Sequence, residues 1–149
     1  MWRTSIEKLL QPLGLNRPVT FTQPASAAAI QQLEQQLRLV LPSELKALLS
    51  ESDGLFSPSR GSFIWTMKGI LTCNSEFRTI ESFKELYMPF DHMLFIGDNG
   101  SGDQYFYPIL AGSVRNPDIY LWNHENDSRQ WFAGHMHQFL VRVITEQLK

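Results

Sequence analysis

Apolar residues change their spacing twice along the chain, from helical to alternating and back to helical. Ile6, Leu9, Leu10 and Leu13 share one helical face behind Thr4 and Glu7 at capping-box spacing, and Gly14 marks a stop. Residues 14 to 25, with Pro18 and Pro24, read as a connection. Ser26 then opens a second helix with Ile30, Leu33, Leu37 and Val40 on its stripe. Leu41-Pro42 ends that helix and starts a third, whose buried positions are Leu45, Leu48 and Leu49 and whose end is Gly54.

The middle of the chain loses this period. Residues 61 to 66 and 69 to 72 are short, aromatic or branched and bounded by glycine or charge, which predicts two strands. Phe77, Ile80, Phe83 and Tyr87 predict a helix over 75 to 87. Met93 to Ile96, Gln104 to Tyr107, Ile119 to Trp122 and Gln130 to Phe132 read as strands, the first two joined by a dense Asn/Gly turn over 97 to 103. Met136, Phe139, Leu140, Val143, Ile144 and Leu148 form the stripe of a closing helix over 135 to 148. Helices, then strands, then a helix predict an α+β fold, and 149 residues without an internal repeat suit a single domain over 1 to 149.

Composition narrows the function classes. Hydrophobic residues at 43% are enough to build a core, which excludes a disordered chain. A net charge of -2 offers no global attraction to phosphate backbones, so nucleic acid is not an expected partner. One cysteine, Cys73, and no Cys/His pair at zinc spacing fit a reducing compartment, and neither a signal-peptide pattern nor a membrane-length apolar run occurs. A cytoplasmic location without membrane contact is the expectation.

Charge is uneven along the chain. Over residues 91 to 127, Asp91, Asp98, Asp103, Asp118, Glu125 and Asp127 face only Arg115, a local balance of -5. Such a segment either steers a basic partner or keeps turns and sheet edges solvated. Tyr105 and Tyr107 alternate with Phe106, so one face of that strand is tyrosine and offers a contact surface.

Sites of other kinds fail on spacing. The 97 to 103 segment has neither the Gly-Lys-Ser/Thr of a phosphate loop nor oxygen ligands at positions 1, 3 and 5 of a calcium loop. His124, Glu125 and Asp127, with His135 and His137 nearby, are the residue types of a metal-dependent hydrolase, but no ligand spacing unites them. Cys73 lacks a nucleophile motif and reads as a buried, inert thiol. No metal, cofactor or catalytic residue is expected.

Three segments together carry a resemblance: Leu41-Pro42-Ser43-Glu44-Leu45-Lys46-Ala47-Leu48-Leu49 running to Asp53-Gly54, residues 95 to 107, and residues 119 to 125. In this order and spacing, from about Ile30 to about Leu140, the chain resembles the SUKH superfamily. The resemblance implies an α+β domain with a mostly antiparallel central sheet and packed helices, without catalytic activity. It also implies either an immunity protein that binds a polymorphic or contact-dependent bacterial toxin, or a regulatory adaptor like the fungal regulators of cell-wall synthesis. The expected partner is a cognate toxin protein, with a basic nuclease-type domain as the candidate. The expected contact residues are Asp98, Asp103, Glu125 and Asp127, with Tyr105 as an aromatic anchor.

Overall fold

The computed structural model describes residues 1 to 13, 19 to 58 and 61 to 146. Gly14, the expected end of the first helix, and Leu148, on the closing stripe, lie outside them. Helix α1 spans Trp2–Leu10 and buries Ile6. Its start differs from the expected box at Thr4 and Glu7. The Glu51 carboxylate accepts from the nitrogens of Met1 (2.7 Å), Trp2 (2.7 Å) and Arg3 (3.3 Å), so a distant acid supplies the cap and the helix begins earlier.

Strand β1 (Thr20–Phe21) lies within the expected connection. Helix α2 (Ala27–Leu37) follows, capped as expected by the Ser26 hydroxyl, which accepts from the Ala29 amide at 3.1 Å. Arg38 ends it in the left-handed region (φ 54°), so Val40 falls beyond the helix and is exposed, while Leu39 and Leu41 take the buried positions. Helix α3 (Ser43–Glu51) buries Leu45, Leu48 and Leu49.

Strands β2 (Leu55–Ser57) and β3 (Gly61–Ile64) come next. The segment 69 to 72, expected as a strand, is instead the first half of helix α4 (Met67–Thr79). Thr66 caps it by accepting from the Gly69 amide at 3.1 Å, so Gly69 sits in a first turn rather than at a strand boundary. The expected 75 to 87 helix is divided at Ile80, whose extended backbone separates α4 from the short α5 (Glu81–Leu86).

Strands β4 (Met93–Asp98), β5 (Gln104–Pro108), β6 (Ile119–Trp122) and β7 (Arg129–Ala133) form an antiparallel meander, and α6 (Met136–Glu146) closes the chain. Residues 93 to 96, 104 to 107 and 119 to 122 are therefore neighbouring strands, as the pattern indicated. The protein has the expected α+β fold, with two antiparallel sheets in place of one: β1-β2-β3 and β4-β5-β6-β7.

The two sheets meet at the outer edge of β4. Trp65 donates its amide to the Ile96 carbonyl at 2.7 Å. Gly97 is obligatory there, because a Cβ on it would stand 1.8 Å from the Phe63 carbonyl oxygen. The rest of that edge is closed by α4. Asn74 is fully buried; its Nδ2 donates to the carbonyls of Phe95 (2.8 Å) and Ile70 (2.7 Å), and its Oδ1 accepts from the Phe95 amide (2.8 Å). One turn on, Arg78 Nη2 donates to the Met93 carbonyl at 2.9 Å.

Both faces of the larger sheet carry packed layers, although on one of them Tyr120 stays half-buried and Trp131 exposed. Phe77, Phe83, Tyr87 and Phe90 pack edge-on or tilted against one another and against Phe95 and Trp122 on one side. On the other, Phe139 of α6 packs on Tyr105 and Phe132.

Two substitutions test this arrangement. Asn74→Ala strands the Phe95 amide and carbonyl in a dry edge and should cost about 3 kcal/mol in urea unfolding. Gly97→Ala, which forces backbone apart, should cost at least about 4 kcal/mol and is expected to abolish soluble expression.

Candidate functional site

The register of the meander brings the acidic positions together. Asp98 pairs with Gln104, Gln104 with Trp122, and Trp122 with Arg129, so the 99 to 103 and 123 to 128 turns project from the same end of the sheet. Asp98, Asp103, Glu125 and Asp127 therefore all lie at that end. Asp118, just before β6, lies at the opposite end.

Most of these carboxylates are engaged within the fold. Asp98 accepts from the Trp65 indole (2.7 Å) and the Gly100 amide (2.8 Å), linking the turn to the residue that follows β3. Asp103 Oδ1 lies 2.7 Å from His124 Nδ1 and accepts from the His124 amide at 3.2 Å, tying one turn to the other. That contact needs Gly102, which has φ 97° and where a Cβ would stand 2.8 Å from the His124 ring. Asp127 accepts from the Trp122 indole (2.7 Å), the Met88 amide (2.9 Å) and Arg129 (3.0 Å). Arg129 also donates to the Met88 and Pro89 carbonyls, and the Tyr87 hydroxyl donates to the His124 carbonyl, so the 123 to 128 turn is stitched to the segment after α5.

Glu125 is the exception. It is exposed, and its carboxylate has no partner among the described residues. It is the one acid of the four wholly available to another molecule, whereas Asp98, Asp103 and Asp127 contribute charge from half-buried positions that the turns depend on.

The aromatic anchor expected at Tyr105 is not at the surface. Tyr105 is 4% exposed and packs on Phe132 and Phe139; Tyr107 is 1% exposed, and burial, with the nearby Glu44 charge, raises its pKa. Strand β5 is central, covered by α6 on its tyrosine face and by aromatic rings on its phenylalanine face, so neither face is free. The exposed aromatic side chain of this sheet is Trp131 on the edge strand β7, 51% exposed. Its place in the short Gln130-Trp131-Phe132 run hid that difference, because edge position follows from strand order.

The residue types of a hydrolase do not converge. Among the described residues no three His, Cys, Asp or Glu side chains gather at metal-binding distance. His124 is held by Asp103, and the rings of His135 and His137 lie 6.3 Å apart at the start of α6. Cys73 is half-buried, and burial, reinforced by Glu76 and Asp98, raises its thiol pKa, which keeps it protonated and poorly nucleophilic. Among the described residues no helix is long and apolar enough to cross a membrane.

Asp127 sets a pH dependence. Burial opposes its ionisation, but hydrogen bonds from Met88, Trp122 and Arg129 outweigh it and hold the carboxyl below the ordinary carboxylate range. Its folded pKa lies below the unfolded value, so its stabilisation is present above about pH 4 and is lost as pH falls through the folded pKa. Asp127→Asn should cost roughly 1 to 2 kcal/mol at pH 7. In urea titrations the gap from the parent protein should narrow progressively below about pH 4.

No curated protein matches the chain. The SUKH_6 family model, described as SMI1-KNR4 cell-wall, matches residues 27–140, from the start of α2 into α6. With that match spanning both sheets' connecting helices and the whole meander, the chain belongs to the SUKH superfamily, whose domains serve immunity or SMI1/KNR4-like regulatory roles.

Proposed function

We propose that this protein is a non-enzymatic binding domain that acts as an immunity protein, occluding a toxin that carries a basic surface. The observation that carries this reading is family membership across residues 27–140. The acid-lined end of the meander supports it: two rigidly tied turns present Glu125 outward, backed by the charges of Asp98, Asp103 and Asp127. A toxin that acts on nucleic acid needs a basic active-site surface, and a preorganised acidic surface would compete for it and accelerate encounter. Protein contact alone suffices for this role, so it requires neither a metal nor a cofactor, and the protein would act in the cytoplasm where such a toxin arrives.

The test uses the toxin domain encoded beside this chain or recovered with it by co-purification. The expected result is a stoichiometric complex in which toxin activity is lost. Failure to inhibit, with both proteins folded, would exclude the immunity role and leave regulatory binding. Glu125→Lys is the variant of choice, because Asp98 and Asp103 hold the turns and their reversal would disturb the fold. It should slow association by about three- to tenfold at low salt, with a shallower salt dependence and unchanged circular dichroism.

A further inference from the structure

We propose that Trp131, Tyr120 and Asp118 form a receptor for an arginine side chain presented by a protein partner. Strand β7 is the last strand of the meander and, among the described residues, pairs only with β6. Tyr120 stands opposite Trp131, and Phe106 opposite Tyr120, so an aromatic row crosses three strands on one face. Phe77 and Phe90 pack over Phe95 and Trp122, while Tyr120 is half-buried and Trp131 is half-exposed. The covering layer therefore stops short of β7.

Trp131 is also held in place. Its indole Nε1 donates to Asp118 Oδ1 at 3.1 Å, which fixes the ring and sets a carboxylate beside it. Asp118 Oδ2 has no partner among the described residues. An aromatic face with an available carboxylate oxygen at its edge matches a guanidinium, which stacks on the ring while its N–H groups meet the acid. An ammonium lacks the planar fork and fits less well.

The chain makes this kind of contact internally. Arg3 lies over Phe21 at 4.4 Å, Arg129 over Phe90 at 5.3 Å and Arg142 over Phe132 at 4.1 Å. Among the described residues none lies over Trp131. Backbone pairing is not the mode: Arg142 Nη1 donates to the Phe132 carbonyl at 2.6 Å and Gln138 accepts from the Gly134 amide at 2.6 Å, which blocks strand addition along 132 to 134. Around Trp131 the contact is therefore made by side chains, with backbone addition closed off on its C-terminal side.

This inference rests on the proposed basic partner but is tested without it. The probe is a short Gly-Arg repeat peptide, with Gly-Lys and Gly-Glu repeats as controls, titrated into the full chain and followed by the indole N–H resonance of Trp131, assigned through W131F. The expected result is a shift centred on Trp131, Tyr120 and Asp118, about two- to fivefold tighter for arginine than for lysine, and absent for glutamate. W131A and D118N should each weaken arginine binding by about tenfold or more; D118N keeps the ring, so it remains informative if W131A folds poorly. Equal affinities for arginine and lysine, or affinity unchanged in D118N, would overturn the proposal. Toxin binding with this site silent would reject the receptor and keep the immunity role; arginine binding without toxin inhibition would do the reverse.

Discussion

The outer edge of β4 is the constraint on which the structure depends. A four-stranded meander has two open edges, each a row of backbone donors and acceptors that water or another chain would otherwise occupy. Here β4 is fully buried along Met93 to Ile96, so its outward groups need partners from within the protein. Asn74 satisfies the Phe95 amide and carbonyl with one side chain, Arg78 takes the Met93 carbonyl, and the Trp65 amide takes that of Ile96. The geometry fits because four residues of helix rise about 6 Å, close to the roughly 6.6 Å between alternate residues of a strand. A helix thus stands where a fifth strand would.

That arrangement fixes the other elements. With α4 locked along β4, Phe77 is held against Phe90, Phe95 and Trp122, and α5 follows with Phe83 and Tyr87. Tyr87 and Met88 then meet the 123 to 128 turn, through the His124 carbonyl and the Asp127 carboxylate. The acid-lined end of the sheet is therefore rigid because of contacts that begin at the opposite edge. Rigidity matters for a binding surface, since an ordered loop loses less entropy on association.

The acids at that end serve two demands at once. Asp98, Asp103 and Asp127 satisfy indole, amide and imidazole donors that the turns leave free, and their remaining charge still contributes to the surface potential. Evolution of a partner surface at such positions is limited, because exchanging any of them disturbs a turn. Glu125 and the Trp131 region carry no such burden and are the freer positions for partner-specific contacts.

Several features were legible in the sequence. Ser26 caps α2 through a local hydrogen bond, Leu45, Leu48 and Leu49 form a continuous stripe, and β4, β5 and β6 are short apolar runs bounded by Asn/Gly turns, all readable from neighbours within a few residues. Helix α4 was not, because its buried face carries Ile70, Asn74 and Arg78: two of those positions are polar, so the apolar period that announces a helix is broken where the helix does its most important packing. The cap of α1 by Glu51 and the pairing of β1 with β2 depend on residues more than thirty positions away. Tyr105 and Trp131 make the same point at the surface. Both sit in alternating aromatic strands, yet one is central and buried and the other lies at an edge and is exposed, a distinction set by strand order in the sheet and by which rings the helices cover. Sequence alone thus determined most of the local elements, α4 and β1 excepted, and the clustering of acids in two turns; only the tertiary structure decided which of those side chains hold the fold and which remain for a partner, because that depends on the donors that distant segments bring to them.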